Sequence, residues 1–160
     1  MVEDARFEDG GDTPLHLKAR DADDLTILSA LCQDAVVPMG EISYDAGQRR
    51  FAMLLNRFRW EDVDRATKRS RPVERVQSVL LFDDVLSAKS SGLSAAQKDT
   101  IISVLAITFT AGTDGTGAVE ITLAGDGGIL LDVEAIDVTL KDVTRPYVAP
   151  SKKQPQHAPE

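Results

Sequence analysis

Cysteine and histidine are scarce in this chain, which has one cysteine and two histidines among 160 residues. Because Cys32 is alone, no disulfide can form within the chain, and a zinc site of paired Cys and His side chains is not expected. Catalysis by a Ser-His-Asp or Cys-His arrangement needs an imidazole. However, His16 alternates outward between Leu15 and Leu17, and His157 lies in the C-terminal segment. An enzyme is therefore not the expected class, and we predict no catalytic residues, no metal site and no cofactor.

Long apolar runs are missing as well. No apolar run approaches the roughly 20 residues that a membrane-spanning helix requires, so no membrane association is expected. The first nine residues are acidic where a secretory signal would be basic and then apolar. A single cysteine is typical of proteins in a reducing compartment. These features favour a soluble protein of the cytoplasm.

Positive charge is in the minority, with 18 Lys and Arg against 26 Asp and Glu, and the formal net charge is −8. A negative net charge opposes binding of nucleic acid or anionic lipid by the molecule as a whole. The positive charges are unevenly placed, because nine of the 18 lie between Arg49 and Arg75. The rest of the chain is correspondingly acidic.

The length and the two ends predict one domain between two tails. A chain of 160 residues can bury a sizeable core without disulfides or metal. Residues 1–14 are rich in Asp, Glu and Gly, and residues 144–160 contain four prolines. Such compositions bury too little apolar surface to order themselves. We predict a disordered acidic tail at 1–14, a single globular domain at 15–143 and a disordered Pro-rich tail at 144–160.

The longest apolar stretch, residues 101–109, is predicted to be the central strand. On an extended chain one face carries Ile101, Leu105, Ile107 and Phe109, and the other carries Ile102, Val104 and Ala106. A strand that is apolar on both faces is typical of the middle of a sheet that is covered above and below.

One amphipathic helix is indicated near the N-terminus. Residues 15–19 alternate as a first strand, Asp21 is suited to cap a helix, and apolar residues then recur at helical spacing over residues 22–34. Residues 36–60 have the pattern of a β-hairpin. Residues 63–72 are basic, poor in apolar side chains and ended by a proline, so they are predicted to form an exposed, mobile loop.

The C-terminal half predicts further strands joined by turns. A bent strand at 73–89 precedes a loop in which 94–97 resembles a capping box and is open to a short helix. The glycine clusters at 112–117 and 125–128 are read as hairpin turns, since no helix follows either to hold a phosphate.

The strand pattern that begins at Ile129 changes its phase by one residue before Ile136, Val138 and Leu140. A slip of one indicates a bulge or a bend that passes the strand to another face. A terminal helix over 134–143 is the alternative. Taken together, about seven strands and one main helix after the first strand predict an α+β fold, built on a strongly bent antiparallel β-sheet or a two-sheet roll.

The basic segment is the candidate binding site. Seven Lys and Arg within nineteen residues surround one tryptophan, a composition suited to an anionic partner such as an acidic protein or a phosphorylated ligand. The alternative is a solvated loop that keeps the protein soluble. The candidate residues are Arg57, Arg59, Trp60, Arg65, Lys68, Arg69, Arg71 and Arg75.

These observations favour a non-catalytic binding or adaptor module with a basic surface. A small-molecule or carboxylate-based enzymatic pocket in the bent sheet is the alternative, with Asp83 and Asp132 converging on it, and Asp84, Glu134 and Asp137 as further carboxylates. A homodimer formed through an exposed sheet edge is a third possibility.

Several blocks of the chain stand out together, namely Leu31-Cys-Gln-Asp-Ala-Val-Val37, Arg50-Phe-Ala52, Leu55-Asn-Arg-Phe-Arg-Trp-Glu61, Leu105-Ala-Ile-Thr-Phe109 and the run from Val119 to Asp142. Together they resemble an alphaproteobacterial family of unknown function, DUF2948. The resemblance covers about residues 15–142, the whole predicted domain. It implies a small bacterial cytoplasmic protein, and it implies no activity, cofactor or catalytic residue.

Overall fold

The computed structural model describes residues 13–70, 72–93 and 98–148. The predicted short helix at 94–97 lies outside the described residues, as do Arg71 and most of the two predicted tails. Eleven strands and two α-helices form the described part of the chain: β1 (His16–Ala19), α1 (Ala22–Leu31), β2 (Val36–Pro38), β3 (Ile42–Asp45), β4 (Arg50–Phe58), α2 (Val63–Lys68), β5 (Glu74–Phe82), β6 (Val85–Ser91), β7 (Ile101–Ala111), β8 (Gly117–Leu123), β9 (Gly127–Val133), β10 (Val138–Asp142) and β11 (Tyr147–Val148).

The strands form one antiparallel sheet that does not close on itself. Its order is β1-β10-β5-β4-β2-β7-β8-β9-β6, with β3 on β4 and β11 on β5. The predicted antiparallel α+β character is confirmed, but the sheet is larger than the seven strands expected. Two of the additional strands, β2 and β11, are only three and two residues long, too short to leave a period-two pattern. One of them, β11, falls in the segment predicted as a tail.

The helices follow the predictions in part. Helix α1 begins where expected, because the Asp21 side chain accepts a hydrogen bond from the Asp24 backbone N–H, and it ends at Leu31 rather than at residue 34. The prediction of an exposed loop at 63–72 is wrong for its first six residues, which form α2. A single 3-10 turn at Trp60–Asp62 precedes this helix. Only Ala66 of α2 is buried, so this helix carries almost no apolar signal.

The sheet has two halves, β1-β10-β5-β4-β2 and β7-β8-β9-β6. A single hydrophobic core lies under the inward faces of both halves. It joins Leu80 of β5 with Ile121 of β8 and Leu131 of β9, all nearly inaccessible to solvent. Leu25 and Leu28 of α1 reach the same core. Since one cluster links strands from opposite ends of the sheet order, the sheet and α1 form one cooperative unit.

Strand β7 is extended and central in the sheet, as predicted, but only one of its faces is covered. Ile101 and Leu105 are 57% and 42% exposed, whereas Ile102, Val104 and Ile107 are buried. The pairing of β7 with β8 shifts between Val104 and Ala106. This irregularity turns Ile107 to the same face as Val104. The expectation that both faces are covered is therefore wrong, because an inserted residue makes a one-sided strand look apolar on both sides.

The phase change after β9 is the bend that the sequence predicts. Strand β9 pairs with β6 and β8, whereas β10 pairs with β1 and β5 at the other end of the sheet. Residues 138–142 are therefore a strand, and the alternative of a helix over 134–143 is wrong. The bend carries the chain from one half of the sheet to the other.

Helix α1 lies beside β7 beyond the point where β2 ends. Of the residues of β7, only Ile101 to Ser103 pair with β2. Beyond them, the Ile107 backbone N–H donates to the Ser29 hydroxyl of α1 over 2.8 Å. This bond satisfies a backbone N–H of β7 that lies beyond the residues paired with β2.

Replacing Ser29 with alanine removes that acceptor from a partly buried N–H. We expect S29A to lower the free energy of unfolding by about 1–2 kcal/mol. Thr26 offers a matched control, because its hydroxyl donates to the Ala22 carbonyl on the exposed side of α1, so T26A should change the value by less than about 0.5 kcal/mol. Urea denaturation measures both, and equal effects would contradict the role assigned to Ser29.

Candidate functional site

The predicted basic segment begins with an arginine that lies inside the protein. Along β4, Phe51, Met53 and Leu55 point into the core, and Arg57 is the next residue in the same phase. Its exposed fraction is 0%. Arg57 therefore extends the apolar stripe of β4 with a charge, which needs compensation because burying an unpaired charge is very costly.

The guanidinium of Arg57 has an acceptor for each of its five N–H groups. Nε donates to Ser78 Oγ at 3.0 Å, and Nη1 donates to the Phe58 carbonyl at 3.1 Å. Nη1 and Nη2 each donate to one carboxylate oxygen of Glu61 at 2.9 Å, and Nη2 also donates to Asp142 Oδ1 at 2.9 Å. These bonds combine a bidentate salt bridge to Glu61 with a buried ion pair to Asp142.

Asp142 joins three strands and the start of the domain. It pairs in register with Ser78 on β5, whose hydroxyl donates to Asp142 Oδ1 at 2.7 Å. Its other oxygen, Oδ2, accepts from the Leu15 backbone N–H at 2.9 Å. Both carboxylate oxygens are thereby satisfied. We call Arg57, Ser78 and Asp142 the buried network, which Glu61 joins from the surface.

Two buried groups of this region, Arg57 and Cys32, have shifted pKa values. Burial by itself would lower the pKa of Arg57, but the hydrogen bonds and negative charges of Glu61 and Asp142 outweigh it and raise the pKa above its ordinary value. Burial raises the pKa of Cys32 to about 12, although the nearby charge of Arg57 opposes that shift. The Cys32 thiol is therefore neutral at physiological pH, and a buried neutral thiol is a poor nucleophile.

Arg59 is also buried and paired. Its Nη1 lies 3.3 Å from Asp62 Oδ2 and 2.5 Å from Glu74 Oε1, and its side chain is 3% exposed. Arg57 and Arg59 were both predicted as partner-binding residues, and the structure places both of them in the interior. Both guanidinium groups face carboxylates of the same chain and are covered by protein.

Trp60 and Arg75 both pack against the ring of Phe58. Trp60 Nε1 donates to the Gln33 carbonyl at 2.9 Å, and its ring lies 5.6 Å from that of Phe58. The Arg75 guanidinium lies 4.1 Å above the Phe58 ring. Trp60 thus links the turn before α2 to the end of α1, and Arg75 forms a cation–π contact.

The outer residues of the basic segment lie on α2 and just after it. Arg65 is partly exposed and lies 3.9 Å from Asp62. Lys68 and Arg69 are exposed, and no ion pair within residues 13–70, 72–93 and 98–148 engages either of them. We call Arg65, Lys68 and Arg69 the outer basic surface. Beside it, a cleft of about 320 Å³ lies between Thr13–Leu15 and the side chains of Arg59, Glu61 and Arg65.

The carboxylates considered for an enzymatic pocket have separate partners. Asp83 pairs with Arg50 at 2.9 Å, and Asp137 pairs with Lys18 at 2.8 Å. Glu134 pairs with Arg49, and Asp132 accepts from the Ser87 hydroxyl at 2.8 Å. In the part of the chain that the structure describes, no group of three His, Cys, Asp or Glu is placed to hold a metal ion.

The buried network was not predicted from the sequence, although a signal for it exists. Ser78 stands between Val76 and Leu80 in the inward phase of β5, and Asp142 follows Leu140 in the inward phase of β10. A polar residue that replaces an apolar one in the inward phase of a strand needs a buried partner. Three such positions, on β4, β5 and β10, indicate that these strands are neighbours.

These features define an antiparallel α+β sheet protein in which part of a basic cluster stabilises the fold and part faces solvent. None of the helices among the described residues has the length and apolar character to cross a membrane. The chain belongs to the family described as proteins of unknown function, DUF2948, whose model matches residues 15–157. No curated protein and no solved structure matches the chain.

Removing the charge of Arg57 tests the buried network. R57M leaves Asp142 buried without its cation, so we expect the free energy of unfolding to fall by about 3 kcal/mol or more. R50M is the matched control, since it makes the same substitution on the same strand but breaks an exposed ion pair with Asp83, at a cost below about 1 kcal/mol.

The double variant R57M/D142N should lose at least about 1 kcal/mol less than the sum of the two single variants, because it leaves neither charge alone. Denaturant titrations of the single and double variants give all the values. Additive effects, or an R57M effect as small as that of R50M, would contradict the network.

Proposed function

We propose that this protein is a non-catalytic binding module that holds an anionic partner through the outer basic surface. The observation that carries this proposal is the exposure of Lys68 and Arg69 at the end of α2. Each presents a positive charge to solvent on a molecule whose net charge is −8. The partner chemistry that fits is an acidic protein or a phosphorylated ligand.

The way α2 is held supports this role. The Arg57–Glu61 and Arg59–Asp62 pairs fasten the 3-10 turn that leads into α2, and the Trp60 indole ties the same turn to Gln33. A surface that is already ordered loses less conformational entropy on binding. In this proposal the buried arginines position the helix, and the outer basic surface makes the contact.

The net charge sets the expected character of binding. The acidic remainder of the molecule repels an anionic partner, so attraction is confined to the neighbourhood of α2. Exposed charges are screened over about 8 Å at physiological ionic strength. The interaction should therefore be local and should weaken as salt is added.

A charge-reversal pair tests the proposal with inorganic polyphosphate as the probe. K68E/R69E should weaken binding by about tenfold or more, because two attractive contacts become repulsive. R20E/K98E is the matched control, since it reverses two exposed charges elsewhere, changes the net charge equally and should alter binding by less than about twofold. Isothermal titration at two salt concentrations measures both.

The comparison between the two pairs decides the outcome. If both pairs weaken binding equally, the attraction comes from net charge alone and the assignment to α2 fails. If the unmodified protein binds neither polyphosphate nor a poly-glutamate peptide at low salt, the anionic-partner proposal fails as a whole. Circular dichroism of each variant confirms that the fold is retained.

A small-molecule pocket is a second candidate, and one cavity favours it. A cavity of about 190 Å³ lies between β3 and β6, lined by Tyr44, Phe51, Ala88 and Ile129 among others. An apolar cavity of about 150 Å³ accommodates one aromatic ring. Among the described residues that line it, Lys89 alone is charged. A small, largely apolar ligand therefore fits this cavity better than carboxylate-based catalysis does.

Indole serves as a probe for this second candidate. Millimolar indole should raise the melting temperature of the unmodified protein, because a ligand that binds only the folded state stabilises it. A88F should abolish the rise by filling the cavity, whereas A30F, at an exposed position of α1, should preserve it. A rise that survives in A88F would show that indole binds elsewhere.

A further inference from the structure

The outer face of the half-sheet β7-β8-β9-β6 carries an exposed leucine between opposite charges. Leu130 of β9 is 40% exposed. The strand register places Glu120 of β8 on one side of it and Lys89 of β6 on the other. Adjacent strands are about 4.8 Å apart, so the two charged residues stand on either side of Leu130 in one row of the sheet.

This row is complementary to itself under one symmetry operation. A two-fold axis that runs along β9 through Leu130 exchanges the β6 side with the β8 side. Two copies packed face to face about that axis bring Lys89 of each opposite Glu120 of the other, with the two leucines in contact. An axis across the strands would instead bring Lys89 opposite Lys89, which is repulsive. Complementary charge therefore selects one orientation.

The remaining charge on this face is compatible with that arrangement. Asp132 lies on β9 itself, so the axis places the two copies of this residue near each other. However, the Ser87 hydroxyl donates to Asp132 Oδ2 at 2.8 Å and draws the carboxylate towards β6. The β6 strands of the two copies lie on opposite sides of the axis, so the two carboxylates are directed apart.

We propose that this face is the interface of a symmetric homodimer, centred on Leu130 and fixed in orientation by reciprocal Lys89–Glu120 pairs. The proposal is independent of the outer basic surface and goes beyond the binding function proposed above. The partner is a second copy of this chain, because the complementarity arises from the chain's own row of charges. The proposed interface uses the sheet face, whereas the dimer considered from the sequence would use a sheet edge.

The size of the overlap predicts a weak dimer. The axis superposes three strands of each copy, β6, β9 and β8, which span roughly 14 Å by 17 Å at ordinary strand spacing and rise per residue. Stable interfaces bury about 800 Å² per partner, and this overlap is smaller. Association should therefore be visible by sedimentation velocity only at high concentration, between about 10 μM and about 1 mM.

Charge exchange gives the decisive test. K89E should raise the dimer dissociation constant by about tenfold, because it sets like charges opposite each other twice in every dimer. E120K should do the same for the same reason. The double variant K89E/E120K should return the constant to within about twofold of the unmodified value, since the pairs are restored with their signs exchanged. Failure of the double variant to recover would overturn the proposed orientation.

Two further variants separate the interface from the rest of the face. L130E should abolish dimers over the same concentrations. T110E adds a negative charge on β7, outside the three-strand overlap, and should leave the dissociation constant unchanged. A monomer at every concentration, or dimers in L130E, would overturn the proposal. Circular dichroism establishes that each outward substitution leaves the sheet folded.

Discussion

The ion pair between Arg57 and Asp142 is the contact on which the half of the sheet that contains β4, β5 and β10 depends. Two charges removed from water are retained only when their geometry is good and every remaining donor and acceptor is satisfied. Here the five N–H groups of Arg57 all have acceptors, and both oxygens of Asp142 are occupied. The pair therefore fixes the relation of β4, β5 and β10, and through Leu15 it fixes the entry of the chain into β1.

The basic cluster between Arg57 and Arg75 has two parts with different physical roles. The inner arginines neutralise carboxylates that hold the turn before α2, and Arg75 covers an aromatic ring. The outer residues, Lys68 and Arg69, keep their charges in solvent. Only exposed charges can attract a partner without first breaking contacts inside the protein. A dense basic run in a sequence therefore overstates the charge that the folded surface presents.

The sequence predicts those features that depend on local periodicity. Asp21 marks the start of α1, and the phase change before Val138 marks the crossing between the two halves of the sheet. The face of β7 was misjudged, because an irregularity at Leu105 is set by pairing with β8 and leaves no local mark. The place of Arg57 in the interior was missed although its phase on β4 indicates it. Part of its compensation comes from Asp142, 85 residues away in the chain, and only tertiary structure brings those two residues together.

The pairing of β1 with β10 has a consequence for biosynthesis. His16 stands opposite Lys141, so β1 finds its neighbour only after almost the whole domain has been translated. Contacts between distant residues carry a loop-closure cost and slow folding. The nascent chain consequently has to keep an unpaired, partly apolar strand in solution during elongation. This edge of the sheet is completed only once β10 has been synthesised.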